Sequence, residues 1–405
     1  MLAPAGAGRE DEEMAPRSSA RPGTLDSYGT TVFAEMSARA SALGAVNLGQ
    51  GFPEEAGPVE VLQAAEAAVA AGHNQYAPGR GIPELRAAIA GHAKAFYEME
   101  VDPGEEVLVT AGATEAIAAT VLSLCRPGEE VVAFEPFYDS YAATIELAGA
   151  RLRPVRLHGP DWSFDPAELR ASINERTRLI LLNTPHNPTG RVFSHDELQL
   201  VAELCRERDL LAVTDEVYEH LVFSGPGASR HERLATFEGM AERTLTISSA
   251  GKTFSVTGWK IGWVLGPARL VSSVTAVKQF LTFTNATPLQ HGVAAGLCLP
   301  RSRIEGEADR LRQRRDLFCG GLEGLGWKVL WPAATYFCAV DVSALERGDG
   351  GSFCDQMLEG AGVAAIPMSA FYAKGSGGAG LNYVRFAFCK SPELLSAALD
   401  RLRDW

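Results

Sequence analysis

The chain has 405 residues, 46% hydrophobic and 21% charged, with a formal net charge of -13. That length exceeds one ordinary core and points to two or three domains of about 100–200 residues each. So acidic a surface repels phosphodiester backbones and anionic lipid heads, which argues against nucleic acid and membrane as partners.

Residues 1–23 carry Arg9, Glu10, Asp11, Glu12 and Glu13 where a secretory leader needs an apolar run, so they read as a disordered leader. No apolar run reaches the ~18 residues of a membrane span. The seven cysteines form no Cys-x-x-Cys and no Cys/His cluster with zinc spacing. A reduced, cytoplasmic protein without a metal site is the expectation.

Amphipathic helices are predicted over 59–71 and 82–97. Short apolar runs follow at 107–110, 131–134, 179–183, 210–215 and 244–248, separated by helical patterns. Such runs imply a parallel sheet covered on both faces. Ser194, His195, Asp196 and Glu197 form a capping box that opens one of the helices. After about residue 300 the pattern changes: a charged helix over 304–325, a strand-like stretch at 328–342, Gly-rich segments at 348–351 and 375–380, and a last helix opened by Ser391 and Pro392. This second part reads as a separate α+β unit.

In an open parallel sheet, ligands bind beyond the carboxyl ends of the strands. Four run-ends therefore matter: Ala111-Gly112-Ala113-Thr114, the segment from Asn183 to Gly190, Asp215-Glu216-Val217-Tyr218, and Ser248-Ser249-Ala250-Gly251-Lys252. They gather an acid, an amine, amides, a phenol and hydroxyls, which suits an anionic, phosphate-bearing aromatic cofactor. Taken singly, each residue has an ordinary alternative. Lys252 can be a solvated lysine, Asp215 a helix cap, Tyr218 and Tyr138 core aromatics, and Arg385 one half of an internal salt bridge.

The segment Ser249-Ala250-Gly251-Lys252-Thr253-Phe254-Ser255-Val256-Thr257-Gly258-Trp259-Lys260 resembles the lysine signature of class I/II aminotransferases, the fold-type-I pyridoxal-phosphate enzymes. Asn47 to Pro53, Asn74-Gln75-Tyr76, Asn183 to Gly190, Asp215 to Tyr218 and Tyr383 to Phe386 occur in the family's order, so the resemblance covers about 24–405. It is strongest toward the kynurenine/glutamine aminotransferase branch and actinobacterial N-succinyldiaminopimelate aminotransferase-like proteins. It implies a large domain (59–300) with a mostly parallel seven-stranded sheet between helices. A smaller α+β domain (301–405) is joined by the segment 24–58.

The resemblance also implies roles. Lys252 forms a Schiff base with pyridoxal 5'-phosphate and moves the substrate's Cα proton. Asp215 pairs with the pyridine nitrogen, and Tyr218 and Asn187 bond the phenolic oxygen. Ser249, Lys260 and the amides of Ala113 and Thr114 hold the phosphate, and Tyr138 stacks on the ring. Lys260 stands where many relatives carry Arg. Arg385 grips the substrate α-carboxylate, and Gly51 lets substrate approach the backbone. Tyr76 reaches the phosphate in the neighbouring subunit of a homodimer. His186 replaces a common Asn and receives no role; Arg80 is a candidate partner for additional substrate carboxylates.

The implied reaction moves an amino group from an L-amino acid to a 2-oxo acid. N-succinyl-LL-2,6-diaminopimelate, glutamine, methionine and aromatic amino acids are the substrates to weigh. A β-lyase or oxidase on the same site is the alternative, and a non-catalytic cofactor-sensing domain a distant one.

Overall fold

The computed structural model describes residue 25 and residues 28–225 and 230–405; the leader expected at 1–23 lies outside them. The five apolar runs, joined by Gly262–Leu265 and Arg151–Arg156, assemble into a seven-stranded sheet. Its order is Val107–Thr110, Gly262–Leu265, Thr244–Ser249, Leu211–Asp215, Thr177–Asn183, Glu130–Glu135 and Arg151–Arg156. All neighbouring pairs are parallel except the two made by Gly262–Leu265, which runs antiparallel to both its neighbours.

Side chains alternate across a strand, and here both sides find a core. Val131, Ala133, Leu179 and Leu181 pack with Ile117, Val121 and Val274 of the helices Gly112–Leu124 and Ala268–Leu281. Val132, Phe134, Ile180 and Leu182 pack on the opposite face, with Leu198 and Val201 of the helix His195–Glu207. A fully buried Leu, Ile or Val contributes about 1.5–3 kcal/mol relative to exposure. The expected capping box is present: Ser194 Oγ accepts from the Glu197 amide at 3.3 Å, and Glu197 Oε2 accepts from the Ser194 amide at 2.8 Å.

The strand Arg151–Arg156 was not expected from sequence. It is one of the two edge strands, paired on one side only, and it reads Arg-Leu-Arg-Pro-Val-Arg because much of it faces water. Its Arg153 and Arg156 pair with the buried carboxylates of Glu130 and Glu135 on the neighbouring strand.

The stretch 328–342 is two strands rather than one. Lys328–Leu330 and Phe337–Asp341 pair antiparallel, and between them Pro332, which lacks an amide proton, and Thr335 at φ 67° turn the chain back. They belong to a four-stranded antiparallel sheet ordered Ile366–Pro367, Tyr383–Ala387, Phe337–Asp341, Lys328–Leu330. The helices Arg301–Gly324 and Pro392–Arg403 pack against each other on it. The N-terminal segment returns to this unit, for Val46–Asn47 pairs parallel with Val363–Ala364. Phe337 to Val340 share one apolar cluster with Ile180 and Leu182, so the two sheets meet across a continuous core.

Candidate functional site

A cavity of about 420 Å³ opens where the carboxyl ends of the large sheet face the small one. That is within the range of small-molecule and cofactor sites. It is bordered by every residue singled out from sequence for this site except Tyr76 and Arg80: Lys252, Asp215, Tyr218, Asn187, Ser249, Lys260, Ala113, Thr114, Tyr138, Gly51 and Arg385.

Lys252 lies in a one-turn helix, Ala250–Thr253, directly after the strand that ends at Ser249. Its Nζ is 3.4 Å from the Gly51 carbonyl and 5.5 and 5.8 Å from the ring centres of Tyr336 and Tyr218. Burial pushes the amine down to about 8, with Lys260 and Arg385 adding to the effect against Cys389 and Asp215. A lysine in that range can shed its proton and act as a nucleophile near neutral pH.

Asp215 ends the neighbouring strand and is buried. Burial raises its carboxyl to about 6, although the Tyr141 hydroxyl donates to Oδ2 at 2.6 Å and the Val217 amide to Oδ1 at 3.4 Å. Among the described residues no cation forms an ion pair with it. Tyr141 is the contact that sequence reading missed. It sits one helical turn beyond Tyr138 in Ser140–Leu147, and nothing in the spacing marks it. Asn183, also missed, ties two loops together: its side chain donates to the Asp215 carbonyl at 2.8 Å and accepts the Asn187 amide at 2.8 Å.

The anion-binding end forms around the first turn of Gly112–Leu124, which contains Ala113 and Thr114. First-turn amides lack carbonyl partners within their helix. Lys260, at φ 54°, turns its ammonium against this turn, and a Cβ on Gly112 would stand 3.2 Å from Lys260 Nζ. Gly262 is required by the same close approach, since a Cβ there would meet the Gly112 carbonyl carbon at 2.6 Å.

Arg385, on the central strand Tyr383–Ala387 of the small sheet, is 2% exposed. Its Nη1 donates to Asn187 Oδ1 at 3.0 Å and its Nη2 to the Gly49 carbonyl at 2.8 Å. Its Nε has no hydrogen-bond partner. The guanidinium carbon lies 4.0 Å from the Phe337 ring centre, 4.7 Å from Phe371 and 5.3 Å from Phe33. No carboxylate forms an ion pair with it among the described residues, so the internal salt bridge weighed from sequence is not made. Burial lowers its pKa to about 10.

Four further residues have these surroundings. The Gly51 position is filled by protein: a Cβ there would meet Phe337 at 2.5 Å and Tyr336 at 2.9 Å, so the glycine is needed for packing of the site wall. Arg80 turns away from the cavity and donates to the carbonyls of Gly104 at 3.3 Å and Glu105 at 2.9 Å. It is a loop tie rather than a contact for substrate carboxylates. His186 is buried, 2.7 Å from Thr189 Oγ1, and burial lowers its pKa to about 3, so the neutral ring braces its own loop. Tyr76 is 82% exposed and packs edge-to-face with Phe283, 5.4 Å between centroids.

The family model for class I and II aminotransferases matches residues 44–402. The chain belongs to this family. The aminotransferase is 48% identical to the N-succinyldiaminopimelate aminotransferase of Mycobacterium tuberculosis, whose solved structure superposes with a TM-score of 0.91 over 95% of this chain and 100% of that one. An Escherichia coli protein with a methionine aminotransferase function superposes at 0.90, with 37% identity over 95% of this chain and 100% of that one. Kynurenine–oxoglutarate transaminase 3 of Homo sapiens is 37% identical over 408 residues, covering 94% of this chain and 89% of the relative.

The enzyme is thus a transaminase acting on amino acids and 2-oxo acids, with pyridoxal 5'-phosphate as cofactor. The cavity suits that group on its own terms. It offers an amine of lowered pKa, a buried carboxylate lacking a cation, and an ammonium against a helix N-terminus.

Proposed function

We propose that the enzyme transfers the amino group of L-amino acids with uncharged side chains, and that the residues bordering the cavity divide the work as follows. Bound pyridoxal phosphate supplies an aldehyde that condenses with amines and a pyridinium ring that withdraws electrons from the substrate's Cα. Lys252 would hold the cofactor through its aldehyde, and its Nζ is the group that would move the proton at substrate Cα. Asp215 keeps a proton on the pyridine nitrogen, with Tyr141 orienting its carboxylate. Tyr218 and Asn187 hold the phenolic oxygen, and Tyr138 lies against the ring. Ser249, Lys260 and the amides of Ala113 and Thr114 fix the phosphate. Residues 59–300 form the unit that carries the cofactor, and 24–58 with 301–405 the unit that covers it.

The observation that carries the substrate reading is Arg385. It is a buried guanidinium lacking an acid partner, with an unbonded Nε, set among Phe33, Phe337 and Phe371. An α-carboxylate satisfies it in bidentate fashion. The other cations bordering the cavity, Lys252 and Lys260, serve the cofactor, so among the described residues no cation at the cavity is left for a second carboxylate. Methionine, glutamine and aromatic side chains fit these walls. N-succinyl-LL-2,6-diaminopimelate is the second reading, favoured by the 48% identity to the mycobacterial enzyme; its distal carboxylates would have to be met from outside this chain's cavity.

A donor panel with 2-oxoglutarate as acceptor separates them. The first reading requires kcat/KM for methionine or phenylalanine to exceed that for the succinylated diamine, and the reverse order overturns it. In the same panel Arg385→Lys loses the planar fork. It should raise KM for amino donor and 2-oxo acceptor together by about 10- to 100-fold, in keeping with about 1.5–3 kcal/mol for a charged hydrogen bond. An unchanged KM for both would refute the α-carboxylate role.

The active unit is a cytoplasmic homodimer with shared sites. Tyr76, Phe280 and Phe283 support this reading: they are 82%, 85% and 53% exposed, too much aromatic surface to leave in water. If Tyr76 completes the neighbour's phosphate site, Lys252→Ala and Tyr76→Asp subunits should partly rescue each other when mixed. One site of the mixed dimer then has an intact lysine and receives an intact tyrosine. Mixed dimers verified by mass spectrometry that show no rescue would sink the shared site.

A further inference from the structure

Directly behind the segment that carries Asp215 and Tyr218 lies a closed ionic network that borders no part of the cavity. Its centre is Arg233, which is fully buried. Its Nη2 donates to Glu219 Oε2 at 2.6 Å, and its Nε stands 3.1 Å from Glu216 Oε2 in an ion pair without hydrogen-bond geometry. The Tyr97 ring covers the guanidinium at 3.8 Å.

The second oxygen of each carboxylate faces the large sheet. Ser248 Oγ donates to Glu219 Oε1 at 2.6 Å, and Thr214 Oγ1 donates to Glu216 Oε1 at 2.8 Å. Histidines close the remaining sides. His231 Nε2 is 3.1 Å from Glu216 Oε2, while His92 and His220 meet at 2.7 Å between their Nε2 atoms. Burial holds both His92 and His220 neutral, lowering them to about 3 and about 4. Glu219, despite burial, is held well below the usual range by Arg233 and its other partners. His92, Glu219 and His220 lie close enough to chelate a metal, yet Arg233 already neutralises the one carboxylate among them.

A buried ion pair is weak evidence for stability, because apolar residues of similar volume often do as well. What the planar fork adds is geometry, since it sets the spacing and orientation of two carboxylates. Each carboxylate here grips a hydroxyl one residue before a proposed cofactor contact: Thr214 precedes Asp215, and Ser248 precedes Ser249. We propose that Arg233, with Glu216 and Glu219, is a positioning residue of the transamination. It fixes the ends of two adjacent strands so that Asp215 and Ser249 meet the ring nitrogen and the phosphate of one cofactor together. The inference rests on the site assignment made above for those two residues.

Thr214→Val and Ser248→Ala, singly and combined, test it, because they cut the network from the strands while leaving its ion pairs in place. The combined variant should bind pyridoxal phosphate on the order of 10- to 100-fold more weakly in equilibrium dialysis, as expected for sub-ångström misplacement of site groups. The visible circular dichroism of the bound cofactor should change. In transamination assays kcat should fall by a similar factor while KM for the amino donor stays within about threefold. Arg233→Lys should fall between the parent and Arg233→Met; if the latter does not fold, the hydroxyl variants decide.

A merely structural network predicts something else: a lower Tm with parental cofactor affinity, dichroism and kcat. That result overturns the proposal. Asp215→Asn and Ser249→Ala run beside them as references. If both bind cofactor as the parent does, the site assignment itself falls, whatever the hydroxyl variants show.

Discussion

Lys252→Ala should retain the cofactor non-covalently and lose turnover by at least about 10⁴-fold, the upper end of what a positioned acid–base group contributes. Of the two lysines bordering the cavity among the described residues, Lys252 is the one proposed to hold the cofactor and reach substrate Cα, since Lys260 is drawn to the first turn of Gly112–Leu124. Borohydride reduction of the parent followed by peptide mapping should place the label on Lys252. A label on Lys260, or a variant within tenfold of parental kcat, would refute the assignment.

Asp215→Asn should weaken the holoenzyme and strengthen the apoenzyme. A carboxyl in the unfolded chain titrates near 3.8, and Asp215 in the folded chain near 6. Between these values the folded chain binds more protons than the unfolded one. Stability therefore falls as pH rises through the window, by roughly 2–3 kcal/mol in all. The amide escapes that loss, so the variant's apoenzyme should melt above the parent's at pH 7–8, and the gap should close near pH 4. With cofactor the order reverses, because the pyridinium loses its partner. Removing one member of a buried pair costs about 3–5 kcal/mol, a factor of about 10²–10⁴ in affinity. Apoenzyme melting curves that show no pH-dependent gap, or unchanged cofactor affinity, would each contradict this account.

Much of the large sheet was legible because five of its strands are buried on both faces and read as near-continuous apolar runs, several closing on a polar residue at the ligand edge. Asp215 and Ser249 could be placed on that ground, and Lys252 by the family resemblance. The edge strand Arg151–Arg156 escaped notice since charged residues that pair with Glu130 and Glu135 look, in one dimension, like a loop. Tyr141 was invisible for another reason: its bond to Asp215 joins residues far apart in sequence. Arg233 shows the same limit, its partner Tyr97 coming from the helix Pro83–Tyr97 and Glu216 and Glu219 from the turn after Leu211–Asp215. Arg80 misled because a cation after a family motif looks available until the carbonyls of Gly104 and Glu105 are seen to hold it.

The antiparallel strand Gly262–Leu265 has a consequence for how such a site can change. Ser249 and Gly262 are cross-strand partners, so the chain leaves the sheet just before Lys252 and re-enters it just after Lys260. The amine and the ammonium are thus two marks on a ruler whose ends are stapled together by strand pairing. An insertion or deletion between them would shift one mark against the other, whereas Arg385 hangs from the other sheet and is not on the ruler at all. On the role proposed for Arg385, substrate preference can therefore drift through small displacements of the sheet bearing it, while the span between the two lysines stays constant.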